Sequence, residues 1–336
     1  MPTAHIDTFA RDHLPSPQQQ PEFLFELPEL KFPAQLNCAT ELLDRHVAEG
    51  RGDRVAIRAP GVTWTYRDLK DKADRIAHVL VREMGLVPGN RVLLRAPNNP
   101  MVAACWFAVM KVGAVAVATM PLLRAKELKA IIEIGRVTHA LADASLAEDL
   151  REASLASPGL KQIRHFNHDG PDSLERAMER HPHPFTNVNT AADDTCIFGF
   201  TSGTTGVPKA TMHFHRDVMA SCVCWPPHVL RATPDDVFIG SPPLAFTFGL
   251  GGLLLFPMSV GASTVLLEKA TPPQLLDQVR DGVADIVWSV PTYSAGRYTK
   301  SEVFELPFMT INAKQGSQAL WEYTQKFALD EYKGIK

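Results

Sequence analysis

Residues 201–209 have the sequence Thr-Ser-Gly-Thr-Thr-Gly-Val-Pro-Lys, and hydroxyls, glycines and a lysine at this spacing can bind an anion. Glycines let backbone N–H groups approach a ligand closely, hydroxyl groups donate hydrogen bonds, and the lysine adds a positive charge. The apolar, β-prone residues 195–200 come directly before the loop. A polar loop that leaves a buried strand is a common place for phosphate binding. The pattern therefore predicts a phosphate-binding loop.

This loop is not a Walker A motif, which needs four residues between its glycines and then Gly-Lys-Ser/Thr. Here Gly203 and Gly206 are three positions apart, and Val207 and Pro208 separate Gly206 from Lys209. A generic Ser/Thr/Gly stretch is most often a surface linker, but nine ordered positions are far more specific. The candidate phosphate-binding residues are Thr201, Ser202, Gly203, Thr204, Thr205, Gly206 and Lys209.

The segments around this loop alternate between predicted helices and strands. Apolar spacing predicts helices over residues 66–84, 101–111, 127–134, 145–156 and 249–258, and strands over residues 54–58, 63–66, 91–95, 114–118, 139–142 and 262–267. Residues 158–194 are polar, and we expect them to be irregular. The alternation predicts an α/β fold with mostly parallel sheets and flanking helices, which would hold the loop at the end of a buried strand.

The composition is that of a soluble globular protein. The 336 residues are 45% hydrophobic and 21% charged, and the net charge of -3 gives no basic field for nucleic acid. Glycine, proline or lysine interrupts the apolar stretches 101–123 and 237–267, so neither predicts a membrane span. The first 31 residues lack the apolar core of a signal peptide. We expect a cytoplasmic protein that binds neither nucleic acid nor membrane.

The five cysteines are scattered along the chain. Cys222 and Cys224 form the only close pair, and no second pair or histidine partner completes a zinc spacing around them. We therefore expect reduced thiols and no metal site.

The 201–209 loop resembles the phosphate loop of the acyl-adenylate-forming (AMP-binding) enzymes. The histidines of Met212-His-Phe-His215 resemble those of the aryl-CoA ligase branch, such as benzoate-CoA ligases, and the wider match is most similar to 2-aminobenzoate-CoA ligases. Further segments that resemble family motifs are Trp64-Thr-Tyr-Arg-Asp-Leu69, Asn98-Asn-Pro100, Val109-Met-Lys-Val-Gly-Ala114, Pro121-Leu-Leu-Arg-Ala-Lys-Glu-Leu128 and Pro242-Pro-Leu-Ala-Phe-Thr-Phe-Gly-Leu-Gly251.

The resemblance implies a ligase that uses ATP, Mg²⁺ and coenzyme A. An aromatic carboxylate such as 2-aminobenzoate or benzoate would attack the α-phosphate of ATP, and coenzyme A would then displace AMP from the acyl-adenylate. The loop would stabilise the charge on the leaving pyrophosphate. The implied acyl pocket contains His215, Phe246, Phe248 and Gly249. Taken alone, the two phenylalanines are more often core residues, so both interpretations stay open.

The resemblance covers residues 37–293, which we interpret as a partial AMP-binding domain, an incomplete N-terminal large domain of the adenylate-forming fold. Residues 1–36 are proline-rich and are expected to wrap the surface. Residues 294–336 form a divergent tail, because residues 300–336 contain five lysines and no arginine whereas residues 1–299 contain 20 arginines and nine lysines. Residues 317–332 have helical spacing.

The later family motifs for magnesium and ribose, and the lid domain with its catalytic lysine, do not occur in this sequence. We assign no catalytic residue and expect a truncated ligase that is inactive or impaired. Two alternatives stay open. One is a remnant that binds a nucleotide or an acyl group, and the other is a non-enzymatic interaction protein whose partner is unknown.

Overall fold

A computed structural model describes residues 3–201, 208–289, 300 and 313–332. Its strands follow the apolar segments of the sequence. In chain order they are β1 (Val55–Ala59), β2 (Val62–Thr65), β3 (Arg91–Arg95), β4 (Val115–Thr119), β5 (His139–Asp143), β6 (Gln162–Phe166), β7 (Thr195–Thr201), β8 (Lys209–Phe214), β9 (Val237–Gly240), β10 (Ser263–Val265) and β11 (Ile286–Trp288).

Most of the helices lie between these strands, as the alternating pattern predicts. They are α1 (Phe9–Asp12), α2 (Arg45–Ala48), α3 (Tyr66–His78), α4 (Pro100–Lys111), α5 (Ala125–Ile134), α6 (Ala147–Leu155), α7 (Leu174–Glu179), α8 (His215–Trp225), α9 (Thr247–Leu250), α10 (Phe256–Val260), α11 (Pro272–Arg280) and α12 (Ala313–Tyr323). Wider π-helical turns extend several of them, at Thr40–Asp44, Val79–Glu83, Pro226–Leu230, Gly251–Leu255 and Thr324–Ala328.

The described strands form two sheets. One has the order β6-β5-β3-β4-β7-β8 and the other the order β11-β9-β10-β1-β2. All neighbours are parallel except β7 with β8 and β1 with β2. The predicted α/β fold with mostly parallel sheets is therefore confirmed.

Helix α4 connects the two sheets through the hydrophobic core. Apart from Lys111 at its end, the helix is apolar on every side, and the core cluster that contains residues 101–110 includes Ile57 of β1, Phe238 of β9 and Val92 of β3. Asn99 begins the helix, since its Oδ1 accepts the Val102 N–H at 3.1 Å. Gly113, with φ of +65°, ends it in a conformation that favours glycine. Within the described residues, no helix is long and apolar enough to cross a membrane.

A charged cluster closes the carboxyl end of α4. The Lys111 side chain is fully buried, and its Nζ lies 2.5 Å from Asp44 Oδ1 and 3.0 Å from Asp74 Oδ1. Lys70 Nζ lies 2.6 Å from the other oxygen of Asp74, at the rim of the cluster. Buried charges persist in proteins when they are paired in this way.

Residues 3–36 are mostly exposed, and a few contacts attach them to the sheets. The Ala4 N–H donates to Asp194 Oδ2 at 2.9 Å, and Asp7 Oδ2 lies 2.5 Å from Arg91 Nη1. The Leu36 N–H donates to the Thr190 carbonyl oxygen at 2.9 Å. These contacts bring the residues that follow, including Cys38, against the amino-terminal part of β7.

The prediction that residues 158–194 are irregular is wrong. They contain β6, which pairs with β5 at the sheet edge, and α7, which Ser173 caps by accepting the Arg176 N–H. The prediction failed because the polar residues give no apolar pattern for an edge strand that is mostly half-buried or for a helix of only six residues. The predicted helical tail is confirmed, because α12 continues through helical turns to Tyr332.

Candidate functional site

The β7–β8 hairpin holds both ends of the predicted phosphate loop. Thr201 pairs with Lys209 in the antiparallel register, and Lys209 is exposed. Ser202, Gly203, Thr204, Thr205 and Gly206 lie outside the described residues. The pairing places Lys209, the lysine of the motif, beside the carboxyl end of the buried strand β7.

The segment 242–251 lies beside this hairpin, and Asn98 holds its first turn. Asn98 Nδ2 donates to the Pro242 carbonyl oxygen at 3.0 Å, and Asn98 Oδ1 accepts the Leu244 N–H at 2.8 Å. The turn then enters α9, where Gly249 is buried against the backbone of Pro243. Phe246 is 46% exposed and Phe248 is 41% exposed, so both rings are at the surface rather than in the core.

Three elements meet around Gly199 of β7. A Cβ atom at Gly199 would lie 2.9 Å from Thr211 Oγ1, 3.7 Å from Thr247 Cγ2 and 3.8 Å from His213 Nε2. Thr211 Oγ1 and His213 Nε2 are themselves 2.9 Å apart. The hairpin that carries the loop and the segment that carries the phenylalanines therefore share one surface, where the small size of Gly199 leaves room.

Trp288 of β11 supports the phenylalanine segment, and sequence reasoning missed it. Its Nε1 donates to the Phe248 carbonyl oxygen at 2.9 Å, and its ring centroid lies 4.9 Å from that of Phe248. Phe256 meets the same indole edge-on at 5.5 Å. The one available signal was the Gly251-Gly252 pair, since two adjacent small residues inside a helical stretch indicate close approach by another group.

Replacing Gly252 by alanine is expected to displace Trp288 and lower the free energy of unfolding by about 1–3 kcal/mol. The new Cβ would lie 2.1 Å from Trp288 Cδ1, so the indole must leave its position and its hydrogen bond to Phe248. Urea unfolding followed by tryptophan fluorescence measures both the loss and the change around the indole.

The neighbouring Gly251→Ala variant is the matched control. Its Cβ would meet only the Phe256 ring, at 3.3 Å, and that side chain can adjust. We expect it to lose less than about 1 kcal/mol. Equal losses in the two variants would contradict the position of Trp288.

The contacts of His215 lie at the opposite end of the hairpin from Thr201 and Lys209. His215 is buried, its Nδ1 lies 3.2 Å from Cys38 Sγ, and it accepts the Cys38 N–H at 3.3 Å. Cys196 of β7 completes a group of three side chains whose ligand atoms all lie within 4.8 Å of one another. Sequence spacing could not reveal this group, because its members come from three separate elements.

The two thiols in this group differ in acidity. Burial raises the pKa of the Cys196 thiol, and the hydrogen bond to Cys38 raises it further. Burial alone would also raise the pKa of Cys38, but the hydrogen bond from Cys196 and the adjacent His215 outweigh it and lower that pKa. One sulfur of the pair therefore carries thiolate character more readily than the other.

The core beneath the 242–251 segment is nearly closed. A cavity of about 10 Å³ separates Leu244 and Leu250 from Trp106 of α4. This volume holds about one water molecule. Between these described residues, the cavity is too small for a ring-sized ligand.

Comparison with known proteins gives consistent matches. A family model described as AMP-binding enzyme matches residues 44–305. The benzoate–CoA ligase of Thauera aromatica is 28% identical over 269 residues, which are 80% of this chain and 51% of that enzyme. The anthranilate CoA ligase AuaEII, solved in complex with anthranoyl-AMP, has a TM-score of 0.75 at 24% identity, over 83% of this chain and 53% of its own.

A third match is the ATP-bound structure of MatB from Rhodopseudomonas palustris. Its TM-score is 0.69 at 25% identity, over 84% of this chain and 53% of its own. The chain thus spans about half the length of the relatives that it matches.

Proposed function

The chain belongs to the AMP-binding enzyme family, and from that premise we propose that it is part of an ATP-dependent acid–thiol ligase for an aromatic carboxylate. Its two sheets are those of the N-terminal domain of the adenylate-forming fold. Benzoate and 2-aminobenzoate (anthranilate) are the acids that we propose, since similar proteins are named for them.

The position of Lys209 carries this proposal. The hairpin register places its exposed side chain opposite Thr201, at the end of the buried strand β7. A lysine ammonium held there supplies a fixed positive charge for the phosphates of ATP. The proposed phosphate-binding residues are Thr201, Ser202, Gly203, Thr204, Thr205, Gly206 and Lys209.

The proposed acyl pocket lies beside the hairpin. Phe246 and Phe248 would offer their exposed faces to an aromatic ring, and Gly249 would keep the turn that presents them. His215 is buried against Cys38 and does not reach this surface, so we leave it out of the proposed pocket. His213, which lies near Thr247, adds a polar group on the same surface.

In the proposed reaction, the carboxylate of the acid attacks the α-phosphate of Mg-ATP and releases pyrophosphate. Coenzyme A then displaces AMP from the acyl-adenylate. Lys209 and the loop would stabilise the charge that moves onto the pyrophosphate. Family motifs for magnesium and ribose do not occur in the 336 residues, so we assign no residue to the metal.

A second candidate function is nucleotide or acyl binding without turnover. The sequence favours it, because the loop that would bind the phosphates of ATP is present, whereas the family motifs for ribose and magnesium do not occur in the 336 residues. Binding of ATP without those contacts does not stabilise the transition state. We expect the isolated 336-residue chain to bind ATP and to catalyse little carboxylate-dependent exchange between ATP and pyrophosphate.

The Lys209→Ala variant tests whether Lys209 binds the phosphates of ATP. We expect ATP affinity to fall by about 10–100-fold, because a hydrogen bond to a charged group contributes about 1.5–3 kcal/mol. Isothermal titration calorimetry measures the affinity, and pyrophosphate exchange with benzoate or 2-aminobenzoate distinguishes a working ligase from a binding remnant.

Lys161→Ala is the matched control for this variant. Lys161 is also exposed, but it precedes β6 and so lies at the opposite end of the same sheet from Lys209. It should leave ATP affinity unchanged. Equal losses of ATP affinity in the two variants, or no loss in either, would rule out the proposed role of Lys209.

A further inference from the structure

The buried group of Cys38, Cys196 and His215 has the composition of a metal site. Its ligand atoms all lie within 4.8 Å of one another, and all three residues are buried. Zinc–sulfur distances of about 2.3 Å and zinc–nitrogen distances of about 2.0–2.1 Å would hold tetrahedral ligand atoms about 3.5–3.8 Å apart. The observed separation of 3.2 Å between Cys38 Sγ and His215 Nδ1 needs only a small outward shift to admit an ion.

The fold directs these side chains toward one point. A β-bulge interrupts the β7–β8 register between Thr195 and Ile197, so Cys196 is an extra residue on its strand. Such bulges re-aim a side chain. His215 begins α8 directly after β8, and Cys38 reaches the same point from the N-terminal segment.

We propose that Cys38, Cys196 and His215 bind a zinc ion. The ion would replace the two thiol protons, which go to solvent, and would take the Nδ1 lone pair that now accepts the Cys38 N–H. Two thiolates, a neutral imidazole and Zn²⁺ have no net charge, which suits a fully buried position better than a monovalent copper ion would. The three residues supply three of zinc's usual four positions, and a water molecule would complete the set.

The site would join three parts of the chain beneath the hairpin. It lies on β7 upstream of Thr201, on the first turn of α8, and on the segment that precedes α2. Because both hairpin strands lead to it, the ion would stabilise the end of the hairpin opposite Thr201 and Lys209. The role is separate from the proposed ligase chemistry, and its test needs no enzyme activity.

Metal analysis of the full 336-residue chain tests this proposal. After reduction, incubation with Zn²⁺ and removal of loosely bound metal by gel filtration, we expect one zinc per chain. Substitution by Co²⁺ should give thiolate-to-cobalt charge-transfer absorption. Cys38→Ser and Cys196→Ser should each weaken zinc binding by more than about 100-fold, since even the loss of an outer-shell contact costs about 10–100-fold.

Cys105→Ser is the matched control, because Cys105 is an equally buried free thiol of α4 outside the group. It should keep the zinc and the cobalt spectrum, and circular dichroism reports whether each variant folds. Three results would overturn the proposal: no bound metal with all thiols free, metal bound equally by every variant, or a Cys38–Cys196 disulfide in the purified chain by peptide mass mapping.

Discussion

Replacing Lys111 by methionine is expected to lower the free energy of unfolding by about 3–5 kcal/mol. Methionine keeps most of the side-chain volume but removes the ammonium that lies within 3.0 Å of both Asp44 and Asp74. Asp74 then stays buried with only the contact to Lys70. The loss is a large fraction of an ordinary domain's stability of about 5–15 kcal/mol. Equilibrium unfolding in urea measures it.

Lys70→Met is the control for this prediction, because Lys70 contacts the same Asp74 from a partly exposed position. We expect it to cost no more than about 1 kcal/mol. Adding Asp44→Asn and Asp74→Asn to Lys111→Met should recover part of the loss, since no buried charge is then left unpaired. A Lys70→Met loss as large as that of Lys111→Met would contradict a central role for Lys111.

Replacing Gly249 by alanine is expected to cost about 2–3 kcal/mol and to displace the phenylalanine segment. The added Cβ would lie 2.1 Å from the Pro243 carbonyl oxygen and 2.6 Å from its carbon. Both atoms belong to the backbone, so no side chain can move aside. The turn that Asn98 holds must open, and Phe246 and Phe248 move with it. Unfolding in urea measures the cost, and near-ultraviolet circular dichroism follows the aromatic rings.

Gly159→Ala provides the comparison. Gly159 is exposed, has no positive φ, and a Cβ there would meet nothing within 4 Å. Alanine should leave stability within about 0.5 kcal/mol or raise it slightly, since it restricts the unfolded chain. If Gly249→Ala behaves like Gly159→Ala, the close approach of Gly249 to Pro243 is wrong.

The sequence predicted the elements whose causes are local. The apolar run 101–111, interrupted at Gly113, predicts α4, and the structure has the helix at Pro100–Lys111. Strand β3 has the predicted bounds, because it is buried along its whole length. Strand β6 was missed because an edge strand needs little apolar surface, and its polar residues resemble a loop.

The site, like the fold, has some features with local causes that the sequence predicts and others that it does not. The loop motif predicted a phosphate site and identified Thr201 and Lys209, which the register then placed opposite each other. The supports of the site could not be predicted, because each contact joins distant parts of the chain. Asn98 holds Pro242, and Trp288 needs the space that Gly252 leaves. A sequence pattern can mark Gly252 as a place of close approach, but it does not identify Trp288 as the residue that approaches.

The strand order of the five-stranded sheet also affects how the chain is made. Strand β1 pairs with β2 at once, but its other edge pairs with β10, where Ile57 meets Thr264. At ribosomal speeds of about 5–20 residues per second, β10 follows β1 by roughly 10–40 s. During that interval the open edge of β1 is free to pair with another strand. High contact order of this kind makes folding slow and leaves the nascent chain dependent on protection until β10 emerges.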